Sequence, residues 1–108
     1  MEYTDEGVIR FMRKIIILPY AESDIRNSIY HYSDKEIGLE KKYIVVLNQA
    51  FQLIEANPFS FPVIWKSIRK FVVRDFPFNV YYIIENETIF IIAVFHNKRN
   101  PKVWKSRK

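Results

Sequence analysis

The side chains best suited to chemistry lie together near the C-terminus, in Phe95-His96-Asn97-Lys98-Arg99-Asn100-Pro101-Lys102-Val103-Trp104. The His96 imidazole suits general acid or base work, or a structural hydrogen bond to a backbone carbonyl. Lys98 and Arg99 add positive charge, and an arginine fork can grip a phosphate or carboxylate at two points. Arg69, Lys70 and Arg74 supply further cations earlier in the chain. These cations either contact a ligand or partner, or form a solvated rim paired with Asp75 and Glu85. Trp104 suits stacking on a base or, following Pro101, folding back to seal the core. With no cysteine there is no thiolate chemistry, and the only two histidines, His31 and His96, have no recognisable metal-ligand spacing. No metal or cofactor is expected.

The elements that must position these groups follow from periodicity. Thr88-Ile89-Phe90-Ile91-Ile92-Ala93-Val94 is the most apolar run, and reads as a central strand buried on both faces, delivering His96 to a sheet end. Ile68 to Arg74 and Phe78 to Ile84 are strand candidates too. The short connections Asp75-Phe76-Pro77 and Glu85-Asn86-Glu87 make the three an antiparallel meander. Tyr81 and Tyr82 alternate faces, one expected in the core and the other nearer the surface.

Upstream, Met12 to Leu18 is a first strand ended by Pro19. Ala21, Ile25, Ile29 and Tyr32 then fall one turn apart, predicting a helix with Glu22, Asp24, Arg26 and Lys35 available to solvent. After Gly38, Leu39, Tyr43, Val46, Leu47, Ala50, Phe51 and Ile54 predict a second helix of about five turns, ended at Asn57-Pro58. The segment from Asn57 to Trp65, with two prolines and three aromatics, reads as a rigid loop crossing to the sheet. The predicted architecture is α+β: an N-terminal strand, a helical hairpin and a three-stranded antiparallel meander, with the helices packed on one face of the sheet.

A chain of 108 residues with 49% hydrophobic content fits one domain. Residues 1–64 carry 7 Lys+Arg against 9 Asp+Glu, whereas residues 65–108 carry 10 against 3. That asymmetry points to an anionic partner, nucleic acid or an acidic protein, beside the plainer reading of solubility. The start is acidic where a secretory signal would be basic, and no apolar run is long enough for a membrane, so a cytoplasmic protein is expected.

In order and spacing, several motifs together resemble the RelE/ParE superfamily of bacterial toxins from type II toxin-antitoxin systems. They are Ala21-x-x-Asp24-Ile25, Gly38-Leu39, Asn57-Pro58-x-x-Phe61-Pro62, Ile68-Arg69, Phe76-Pro77-Phe78-x-Val80-Tyr81-Tyr82 and Ala93-Val94-x-His96-x-x-Arg99-x-Pro101-x-x-Trp104. The resemblance implies a small toxin neutralised by an antitoxin, here expected to be acidic. It also implies one of two targets. RelE-like members cleave messenger RNA in the ribosome, and ParE-like members inhibit DNA gyrase without hydrolysis. An inactive binding module is a third reading.

The RelE pattern implies catalytic cations near Lys70, Lys98 and Arg99. Asn79, however, stands where it has an arginine, and Trp104 stands where it has a tyrosine with a titratable hydroxyl. The His96-to-Trp104 ending looks more like the ParE/plasmid-stabilisation branch. Under these readings His96 is the candidate catalyst, and Arg69, Lys70, Arg74, Lys98, Arg99 and Trp104 contact target or antitoxin. Family members commonly begin just before the first strand. Residues 1–11 therefore read as an N-terminal extension, with Met12 as an alternative start.

Overall fold

In the computed structural model, which describes residues 14–99 and 102–107, the apolar run becomes strand β5, Thr88–His96. It lies between β1, Lys14–Ile17, and β4, Phe78–Glu85; β3, Ile68–Val72, and β2, Val63–Trp65, complete the sheet in the order β1-β5-β4-β3-β2. Neighbours pair antiparallel except β1, which runs parallel to β5 with Lys14 opposite Thr88 and Ile17 opposite Ile91. Asn86 closes the β4–β5 hairpin at φ 57°, in the left-handed region that asparagine tolerates better than most residues.

Helices α1, Pro19–Lys35, and α2, Leu39–Ala56, pack on one face of the sheet. Pro19 opens α1 at a position where a missing N–H loses no bond. Gly38, at φ 85°, makes the turn between the helices. The end of α2 falls where Asn57-Pro58 places it, with the Asn57 N–H donating to the Leu53 carbonyl at 3.0 Å. Tyr43, Leu47, Ala50 and Ile54 form its buried stripe, as their spacing predicts.

In three places the structure differs from the sequence expectation. Val63–Trp65 is a short edge strand rather than loop, because the Pro62 carbonyl accepts the Lys70 N–H at 3.0 Å and sets up pairing with β3. Three residues are too few for a period to show. Asp24, expected in solvent, is buried, and α1 turns Ala21, Asp24, Ser28 and Tyr32 inward while Ile25 and Ile29 are half-buried. Both Tyr81 and Tyr82 are buried, on opposite faces, because the far side of the sheet is covered as well. The cover is a C-terminal turn of helix, α3, Lys102–Lys105, whose Trp104 stacks on Tyr81 with ring centroids 5.2 Å apart. Residues 1–11, the start of the first-strand prediction at Met12 and Arg13, and Pro101 lie outside the described residues.

One irregularity controls the site. Tyr81 pairs with Ala93 but Tyr82 pairs with Ile91, so Ile92 is an extra residue in β5, a β-bulge. Ile89 and Ile91 face the helices, and Ile92 and Ala93 both face away. Beyond the bulge the alternation is inverted: Val94 faces the helices and Phe95 the far side. His96 thereby arrives on the helix side.

Candidate functional site

His96 is half-buried at the end of β5, with its ring edge-on to Phe78 at 5.4 Å. Its Nδ1 accepts the Lys98 N–H at 3.1 Å, so the neutral ring carries its proton on Nε2. Between this strand end and α1 lies a cleft of about 240 Å³ to which His31, Asn27 and Arg99 also contribute. Lys98 is exposed beside it. Arg99 lies over the Phe95 ring at 4.2 Å.

The floor of this region is organised by an ion pair. The Asp24 carboxylate accepts both Arg107 amino groups, Nη1 at 2.6 Å and Nη2 at 3.3 Å, and also the Val94 N–H at 3.1 Å. Arg107 donates in addition to the Ile92 carbonyl at 3.2 Å, on the extra residue of the bulge. Its guanidinium lies 4.6 Å from the Phe95 ring centroid and 5.1 Å from that of Tyr20. From the sequence, Asp24 reads as a solvent-facing position within the Ala21-x-x-Asp24-Ile25 motif, and Arg107 has no assigned role. The available signal was Asp24 itself, an acid one turn from Ala21 and Ser28 on the inward line of α1.

The remaining candidates are dispersed. Arg69 Nη1 donates to the carbonyls of Phe61 at 2.6 Å and Phe59 at 3.2 Å, clamping the 57–62 segment. Lys70 neighbours Tyr81 in the β3–β4 register and, by strand alternation, shares the far face with Ile68. Arg74 is exposed, 3.5 Å from Asp75 and from Gln49 of α2. Trp104 is buried among Tyr81 and Trp65, with Lys105 over the indole at 5.7 Å. The structure thus brings His96 and Arg99 to the cleft beside α1, with Lys98 exposed in the turn after β5, while Arg69, Lys70, Arg74 and Trp104 occupy other surroundings.

Asn79, at the position where the RelE pattern has arginine, is buried with its Nδ2 donating to the Tyr81 hydroxyl at 3.4 Å. Two phenols in the core are held neutral. Burial pushes Tyr43 up to about 12 against a weaker opposing effect of its hydrogen bond with Ser28, and burial likewise pushes Tyr82 up to about 12. The Tyr82 hydroxyl donates to the Pro58 carbonyl at 2.6 Å.

A second surface, unforeseen in the sequence, runs along α2 beside the β3–β4 turn. Two adjoining clefts of about 430 and 570 Å³ share Val46, Gln49 and Arg74. Leu53, Phe71, Leu39, Val45 and Phe76 give them apolar walls, Lys41, Lys42 and Arg74 give basic edges, and Asp75 adds one acid 3.5 Å from Arg74. Val45 is 56% exposed and Leu53 50%, so α2 presents apolar surface outward as well as inward.

Two helices on one face of a mostly antiparallel sheet, entered by a strand that joins its last strand in parallel, define a RelE/ParE-like α+β protein. The family model described as ParE toxin of type II toxin-antitoxin system, parDE, matches residues 15–101. A solved structure, the chromosomal ParDE TA system from P. aeruginosa, shares the fold at a TM-score of 0.67 and 20% identity, over 80% of this chain and 97% of that one. No curated protein matches the chain. The chain belongs to the ParE toxin family and is the toxin component of a type II toxin-antitoxin system, with an antitoxin as partner. Among the described residues, no helix is long and apolar enough to cross a membrane.

Proposed function

We propose that this toxin arrests growth by binding its target, DNA gyrase on the ParE pattern, rather than by cutting RNA. The observation that carries this reading is the packing of Trp104 on Tyr81. The aromatic that a RelE-like nuclease would offer as a phenol is here an indole with no acidic hydroxyl, and it is spent on covering the sheet. Asn79 replaces a cation and bonds to the same tyrosine. That face therefore lacks two of the groups that would stabilise charge and move protons during phosphodiester cleavage. The test is to express the chain without its antitoxin and follow supercoiling and messenger RNA ends in the same cells. Altered supercoiling with intact messages is the expected result. Codon-linked cleavage with normal supercoiling would instead establish the RelE-like reading, and absence of growth arrest an inactive module.

The antitoxin, in this reading, is acidic and lays an amphipathic segment along the α2 groove. Apolar walls edged by Lys41 and Lys42, with Arg74 paired to Asp75, suit a segment with apolar residues flanked by carboxylates at the lysine side.

A further inference from the structure

We propose that the cleft between α1 and the end of β5 is a binding site for a phosphoryl group, as a nucleotide or the 5′-phosphate end of a nucleic-acid strand presents it. It lies where the end of β5 meets α1, and its argument is independent of the toxin's target.

The chain has only two histidines, and the fold brings both to this cleft, His31 from α1 and His96 from β5. Because His96 Nδ1 is satisfied by the Lys98 N–H, Nε2–H is the donor left for a ligand. Asn27 adds an exposed carboxamide.

Arg99 completes the set. Its side chain is 48% exposed, its plane is supported on Phe95, and its contact with Asp24 is a long 3.9 Å. An acid in an anion site would ordinarily repel the ligand. Asp24 is instead spent: Arg107 neutralises it at two points and the Val94 N–H takes a third. The charged side chain left to face a ligand is then Arg99, beside the imidazoles of His31 and His96.

Donors come from three places, α1, the β5 end and the turn after it, which suits an anion with several acceptor oxygens such as a phosphoryl group.

With two imidazoles in the chain, their ring-proton NMR signals report on this cleft directly. The full-length chain is titrated at constant ionic strength with adenosine monophosphate, adenosine, and an oligonucleotide with and without a 5′-phosphate. Both imidazole signals should move together along one saturable curve with the phosphorylated ligands and stay in place with the others. Tighter binding of the phosphorylated strand than of the mononucleotide assigns the site to nucleic-acid ends, and equal or weaker binding assigns it to nucleotides. Arg99→Gln should weaken binding by about tenfold or more. His31→Gln, at an exposed helix position where folding is not at risk, should weaken it too. Unmoved histidine signals, equal response to adenosine, or undiminished binding by both variants would overturn the proposal.

Discussion

Asp24 and Arg107, 83 positions apart in the chain, form a buried ion pair at 2.6 and 3.3 Å that ties α1, the bulge of β5 and the C-terminal tail together. Their side chains are 6% and 12% exposed. Removing one partner strands the other charge out of water. Asp24→Asn or Arg107→Leu should therefore each lower unfolding free energy by about 3–5 kcal/mol. Asp24→Asn with Arg107→Leu removes both charges while leaving an acceptor for the Val94 N–H, and should lose much less than the sum of the two single changes. Urea denaturation of the three variants measures this, and strict additivity would show that the pair is not coupled.

Trp104 holds α3 to the sheet through Tyr81 and Trp65. Trp104→Ala should lower stability by about 3–5 kcal/mol, and Trp104→Phe, which keeps a ring on Tyr81, by clearly less. Denaturation followed by circular dichroism reads both. A Trp104→Ala protein as stable as the parent would place the side chain in solvent.

Arg69 clamps the segment before β2 by donating to two carbonyls from one nitrogen. Arg69→Lys keeps the charge and loses that geometry, for an expected loss of about 1–2 kcal/mol. Amide exchange should quicken at Ser60 and Phe61 more than in β4. Uniform exchange across the sheet would mean that the clamp is not local.

Tyr43 and Tyr82 set an alkaline limit. Burial raises both phenols to about 12 from an ordinary value of 10.0, so the folded state favours their neutral forms. The sign follows: this contribution is fully present below pH 10 and is lost as the pH rises toward about 12. Stability measured across that window should fall with tyrosinate absorbance appearing as the chain unfolds. Tyr82→Phe should flatten the fall, while losing about 1 kcal/mol at neutral pH with the bond to the Pro58 carbonyl.

The α2 groove makes a prediction about the partner. Val45→Glu sets an acid on the apolar wall, and Lys42→Glu reverses an edge charge, both at exposed positions. Each should weaken antitoxin binding by about tenfold or more without altering thermal stability, the Lys42 change acting mainly through association rate and salt dependence. Calorimetry with the cognate antitoxin checks this, and unchanged affinity in both would move the docking surface elsewhere.

Much of the architecture was legible in residue order. The stripe from Leu39 to Ile54 specifies α2 because apolar residues at spacings of three and four can be buried together only on a helix. Asn57-Pro58 and Pro19 mark helix ends through local sterics, and the β4–β5 turn at Asn86 likewise lies in its own few residues. The family resemblance was legible too, since it rests on the order of such local motifs.

What tertiary structure decided is the surroundings of the candidate residues. The run Ile89-Phe90-Ile91-Ile92-Ala93-Val94 is apolar on both faces, so it carries no phase, and nothing within it announces the extra residue at Ile92. Pairing with Tyr81 and Tyr82 creates that bulge, and the bulge turns His96 toward α1 and His31. The Asp24–Arg107 pair is equally invisible along the chain, because an acid on a helix looks solvated until a distant cation is folded against it. Periodicity reports which face of an element is apolar; it holds no information about a partner 83 residues away.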